Sequence, residues 1–298
     1  MKFRRPVCWL FILIATIGLK LSVVASDSSV SSTNAAFARH LADLNGIVPN
    51  GFTVLLQPPF VVIGDDPPAQ VRLRATRTVK WAADRLKQDY FQQDPTEIID
   101  IWLFKDRESY TNHAWQLFHD TPTTPYGYYS AQHRALIMNI STGGGTLVHE
   151  IVHPYMSANF PDCPAWFNEG LASLYEQAAE KNGHIRGKIN WRFDALETAI
   201  KEGRTIPFQQ LMALNTAEFY GNSNSRSYNQ YYGQARYLCY YLQEKGLLTK
   251  YYREFVANAK TDPTGFNTLK AVLGEKDIPA FQKKWERFVL ELRKSGDW

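Results

Sequence analysis

Ser141-Thr142-Gly143-Gly144-Gly145-Thr146-Leu147-Val148-His149-Glu150-Ile151-Val152-His153 is the stretch whose reading decides the fold. On a helix, side chains four residues apart share a face. His149 and His153 then project side by side, and their imidazoles can share one metal ion such as Zn2+. Glu150 stands beside them, where its carboxylate can take a proton from a water made acidic by that metal. Leu147, Ile151 and Val152 supply the apolar side of the same helix. The glycines are expected to make a tight turn out of a preceding strand, with a Ser or Thr as helix cap. Pro154 follows His153 directly; lacking an N–H and crowding the turn before it, it predicts a kink or a stop at that point.

Downstream, Trp166-Phe167-Asn168-Glu169-Gly170-Leu171-Ala172-Ser173-Leu174-Tyr175-Glu176 reads as a second helix after one loop, with Glu169 sixteen residues beyond His153. Two neutral imidazoles and one carboxylate leave a fourth position open on a tetrahedral metal, which is the arrangement of catalytic zinc rather than structural zinc. The H-E-x-x-H pattern followed by a helix carrying N-E-G resembles the gluzincin metallopeptidases of the MA-like clan, over about half of the chain. That resemblance implies His149, His153 and Glu169 as zinc ligands, Glu150 as general base, and a peptide or protein as substrate. It also implies an oxyanion-stabilising tyrosine from a later helix. Within Tyr228-Asn229-Gln230-Tyr231-Tyr232-Gly233-Gln234-Ala235 the residue at family spacing is Tyr231, with Tyr228 and Tyr232 as neighbours. Glu176 stands where relatives carry an acid that steadies a ligand histidine, although a solvent-facing carboxylate fits the same position. The G-x-M-E-N signature that holds a substrate's free amine is missing, so aminopeptidase activity is not implied.

Upstream, a β-branched and aromatic run at Phe60 to Ile63 ends in Gly64-Asp65-Asp66-Pro67-Pro68, which predicts a strand and a turn. Val71, Ala75, Val79, Ala82, Ala83 and Leu86 then fall at helical spacing between Ala69 and Phe91. The pattern recurs with a strand at Ile98 to Phe104 and a helix capped by Asp106. Tyr126 to Tyr129 and Ala135 to Ile140 flank Gln132-His133-Arg134 as two more strands, and the second is expected to offer an edge to an extended substrate. From Gly187 onward no strand pattern occurs, while Trp191 to Ile200, Tyr228 to Lys245, Leu248 to Ala259 and Ala280 to Lys294 read as helices. The expected class is α+β: a small mixed β-sheet with helices that include the metal-binding one over 51–186, then a mostly helical lobe over 187–298 that completes the cleft.

The N-terminus reads differently. Lys2, Arg4 and Arg5 precede an apolar run from Val7 to Leu19, and Val23-Val24-Ala25 precedes Ser26, the layout of a cleavable signal over 1–25. Lys20 interrupts the run short of the roughly 20 apolar residues of a membrane span. A secreted or periplasmic chain without a stable membrane span follows, with membrane anchoring as the lesser reading, and the Ser-rich residues that come next predict a flexible leader over 26–50. The whole chain has 33 Lys+Arg and 29 Asp+Glu among 298 residues; the signal holds four of the cations and no acid, so the remainder is neutral. Nucleic acid, bound through a basic surface, is thereby excluded as a partner. Cys163 and Cys239 remain after cleavage, and either a bridge or two buried thiols satisfies the sequence. His40, His113, His119, His133 and His184 read as surface, loop or leader histidines. The function these features predict is a secreted zinc-dependent metallopeptidase. Hydrolysis of a non-peptide amide such as a cell-wall crosslink would use the same groups, whereas an inactive binding module would lack the base that Glu150 supplies.

Overall fold

The structure is a computed structural model, described over residues 26–221 and 226–295. The segment read as a signal, residues 1–25, lies outside the described residues. Among the described residues, no helix is long and apolar enough to cross a membrane.

The chain divides between Val48 and Pro49 into two units. The first contains α1 (Ser26–Leu44), a helix where a flexible leader was expected. The Ser-rich start hid it, but Ala35-Ala36-Phe37-Ala38 and Leu41-Ala42 behind that start are strong helix formers.

The second unit opens with the antiparallel pair β1 (Thr53–Gln57) and β2 (Phe60–Gly64). β1 carries no clean alternation, which is why only β2 was legible. A long helical passage follows as α2 (Pro68–Arg74), a π-helical turn over Ala75–Lys80 and α3 (Trp81–Asp89). Next come β3 (Ile99–Phe104) and α4 (Arg107–Phe118), the latter capped as expected by Asp106, whose side chain accepts from the Ser109 N–H. Then β4 (Gly127–Ser130) and β5 (Ala135–Asn139) form a hairpin.

The sheet order is β1-β2-β3-β5-β4, with β2, β3 and β5 parallel and each outer strand antiparallel. The three inner strands are buried along their whole length, because helices cover both faces. On one face Trp102 and Phe104 pack against Phe118, Tyr110 and His113 of α4. The other face contributes Phe60, Val62, Ile101, Leu103, Leu136 and Met138 to the core shared with α5 (Gly144–Asn159). β5 lies between β3 and β4 and so has no free edge, contrary to expectation; the sheet ends there in β4.

α6 (Ala165–Leu174) follows α5, and a small hairpin of β6 (Ala178–Lys181) and β7 (His184–Gly187), unmarked in the sequence, separates it from the helices. These are α7 (Arg192–Lys201), α8 (Phe208–Ala213), α9 (Thr216–Tyr220), α10 (Arg226–Glu244), α11 (Leu248–Asn258), α12 (Phe266–Leu273) and α13 (Ile278–Ser295). The expected division near residue 187 does not separate two cores. α10 lies against α6 so closely that a Cβ on Gly170 would come within 3.1 Å of the Ala235 carbonyl and of Cys239 Sγ. The glycine of the N-E-G run thus serves helix packing. Cys163 and Cys239 are free thiols.

Candidate metal centre

Both helices that build the site keep their register for reasons visible in their packing. α5 starts at Gly143, whose φ of +108° suits glycine, and no side chain caps it; Ser141 and Thr142 instead form the 3-10 turn before it. A Cβ on Gly145 would collide with the Glu176 carbonyl, so this glycine lets the start of α5 pass the segment that carries Glu176. Of the kink or stop expected at Pro154, the stop does not occur: α5 runs on to Asn159. The turn beyond the proline is held from outside. Tyr155 stacks on Phe91 at 5.5 Å, and the Asn159 side chain accepts from the Gln92 and Gln93 N–H groups and donates to the Gln93 carbonyl. Those contacts offset the one backbone bond that the proline removes.

The sequence-predicted ligands meet. Donor atoms of His149, His153 and Glu169 lie within 4.8 Å of one another, and the group can hold a metal ion. His149 Nε2 is 3.2 Å from Glu169 Oε2, and His153 Nε2 is 3.9 Å from Glu169 Oε1. Glu169 is buried, with Oε2 against the His149 imidazole and Oε1 turned toward that of His153. That donor set, two imidazoles and one carboxylate converging on a point, fits a divalent cation.

The far side of each imidazole is occupied. His149 Nδ1 is 3.2 Å from Glu176 Oε1, and His153 Nδ1 is 3.0 Å from Asn168 Oδ1. With protons on the two Nδ1 atoms, the Nε2 atoms would be the ones able to hold a cation at a common point. Glu176 is buried and held by Arg192, whose Nη2 and Nε donate to its two oxygens at 2.6 and 2.8 Å, and by Asn190 Nδ2 at 2.9 Å. Glu169 Oε1 also accepts from the Tyr220 hydroxyl at 2.5 Å.

The electrostatics follow from this burial. Desolvation alone would push the His149 imidazole down, but hydrogen bonding to Glu169 and Glu176 outweighs it and lifts the group to about 10. The proton so held is the one a cation at Nε2 replaces. Burial raises Glu169, against which His149, the charge of His153 and the Tyr220 hydroxyl prevail, leaving it at about 2. Glu176 is likewise raised by burial and brought down to about 2 by Arg192 first and His149 second.

The group lines a cavity of about 450 Å³, and Glu150 lines the same cavity. Tyr231 is not part of that lining; half-buried, it packs against the core with its ring 6.2 Å from Phe219. Tyr220 and Tyr232 form that part of the wall, while the side chain of Tyr228 lies outside the described ones. Of the other histidines, His113 is stacked on Phe104 and within 3.1 Å of Ser109 Oγ, and His184 pairs with Asp89, so both are engaged in packing or pairing.

Four partners of the site escaped the sequence reading. Asn168 sits beside Glu169 in the chain, and an amide one residue before a ligand was its available signal. Asn190, Arg192 and Tyr220 carry no signal at all, being brought in by the packing of α7 and α9. No family model matches the chain, and no curated protein matches it in sequence, so the centre rests on its own geometry.

Proposed function

We propose that the chain is a zinc-dependent peptidase of gluzincin type. The observation that carries this reading is the pairing of a buried two-histidine, one-carboxylate group with a second carboxylate, Glu150, on the wall of the same cavity. His149, His153 and Glu169 would hold the ion, and a nitrogen-rich set with one carboxylate and an open position suits zinc. Zinc, when bound there, supplies Lewis acidity toward a carbonyl oxygen and toward water.

The chain's own groups do the rest. Glu150 takes a proton from the attacking water and carries it to the leaving amine, so that the C–N bond breaks, the hydroxyl goes to the carbonyl carbon and the amine departs neutral. Glu176 and Asn168 keep the imidazoles in the tautomer that leaves both Nε2 atoms unprotonated. A tyrosine hydroxyl on the cavity wall would donate to the developing oxyanion.

Glu150→Gln tests the reading, because it removes the base and leaves the three ligands in place. Zinc content, measured by mass spectrometry of the metal, should stay near one per chain while peptide turnover falls by about a hundredfold or more. An active Glu150→Gln protein would overturn the mechanism.

A further inference from the structure

The cleft does not end at the metal group. A second cavity, of about 460 Å³, lies against the other side of His153 and shares His153 and Tyr129 with the first. Its remaining walls come from the segment that leads into β3, including Glu97 and Ile99, from the end of α5, including Ser157, and from Asn168 of α6. Space therefore continues on both sides of the atoms that would react.

Among the described residues, nothing in either lining is set up to hold a chain terminus. Among the described residues lining the two cavities, the one Lys or Arg is Arg192, and its guanidinium is spent bidentately on Glu176. Among these described residues a substrate's C-terminal carboxylate has no cation waiting for it. Of the carboxylates, Glu169 and Glu176 are bound up with His149, Glu150 is the base, and Glu97 is solvent-exposed and 3.6 Å from Arg134. A free amine would find no buried acid reserved for it.

What the walls do offer is backbone and aromatic surface. β4 is the last strand of the sheet, paired only with β5, and residues 126–129 run along the first cavity. Its four residues span about 13 Å, room for a short antiparallel addition. Tyr126 is 52% exposed, Tyr129 41% and Trp191 59%; these large aromatics stand uncovered on the rim of this one cavity. Aromatic surface left in water at a cleft mouth is a place for another apolar group.

We propose that the substrate is an internal stretch of extended polypeptide that passes across His153 through both cavities, with a large apolar or aromatic side chain seated against Tyr126 and Trp191. The site then acts on the interior of chains and ignores their ends. This rests on the peptidase reading above, and binding and cleavage separate the two.

The test uses the zinc-loaded Glu150→Gln chain and a fluorescein-labelled nonapeptide with central Phe, acetylated and amidated at its ends. Capping should alter affinity by less than about twofold against the uncapped peptide. Replacing the central Phe by Ala should weaken binding by about tenfold or more, the worth of burying such a side chain. Trp191→Ala combined with Tyr126→Ala should erase most of that Phe-over-Ala preference. A requirement for a free end, or equal affinity for the Phe and Ala peptides, would overturn the proposal. In parallel, the parent zinc-loaded chain is given the capped and the uncapped peptide and the products are mapped by mass spectrometry. Internal cuts beside Phe support the proposal, and cuts confined to the ends of uncapped peptides overturn it. Tight, Phe-selective binding of the capped peptide with no cleavage by the parent chain would sink the hydrolase reading and leave the binding mode standing.

Discussion

His149 and His153 stand one helical turn apart on α5, present the same atom to the same point, and are held in opposite ways. Around His149 the support is ionic and buried: Glu176, itself clamped by Arg192 and Asn190, meets Nδ1, and the imidazole side chain is 10% exposed. Around His153 the support is a single neutral amide, Asn168 Oδ1, and the side chain is 20% exposed. The first histidine is fixed by groups gathered from α7 and the segments beside it, the second by Asn168, the residue next to Glu169 in sequence. A charged, desolvated arrangement restrains a ring strongly but is costly when broken, whereas a local amide restrains it cheaply. The two sides also differ in what they face, since His153 forms part of the passage between the two cavities and His149 does not.

The largest effect that would test this comparison is removal of the imidazoles themselves. His149→Ala and His153→Ala should each lower zinc affinity by more than about a hundredfold, beyond the usual effect of an outer partner, as read by competition with a chromogenic chelator. Near-parent affinity in either variant would remove that residue from the ligand set.

Next in size are the supports. Glu176→Gln should lower zinc affinity by about ten- to a hundredfold, and Asn168→Ala should fall at or below the low end of that range. Equal losses would mean that the two sides are held alike after all. Arg192→Met is expected to act through stability, because it leaves Glu176 buried without its cation, at a cost of about 3–5 kcal/mol in denaturant unfolding. A parent-like midpoint and slope for Arg192→Met would show that Asn190 and His149 suffice.

The smallest effect concerns the tyrosines. Tyr220→Phe removes a donor to Glu169 Oε1 and should change zinc affinity by about tenfold at most, the lower range for an outer partner. Tyr231→Phe should leave zinc affinity alone, and steady-state turnover of the two variants, with Tyr232→Phe beside them, tests whether one of these hydroxyls serves an oxyanion. Loss of turnover in Tyr231→Phe alone would require Tyr231 to reach the cavity from its packed position.

Much of the fold was legible because its inner strands are buried on both faces and therefore read as unbroken apolar runs, at Phe60 to Ile63, Ile98 to Phe104 and Ala135 to Ile140. β1, β6 and β7 were not, since short, partly exposed strands carry too few residues for a period of two to show. α8, α9 and α12 are five to eight residues long and escaped for the same reason. The stop offered as one outcome at Pro154 does not occur, because the rule for proline is local, while Phe91, Gln92 and Gln93, which hold the next turn, lie some sixty residues earlier.

The spacing of His149, Glu150 and His153 was determined by sequence alone, because i and i+4 on a helix face the same way wherever the helix sits. The helix-capping role of Asp106 was likewise local, as its side chain needs only the next turn. Which edge of the sheet borders the cleft, what stands behind each imidazole and which tyrosines reach the cavity were decided only in the tertiary structure. β4 became the edge because β5 paired with β3 across a crossover, and Arg192 and Tyr220 reached Glu176 and Glu169 because α7 and α9 pack beside α10 and α6. Such contacts depend on where buried surfaces meet, and no period in the chain encodes that meeting.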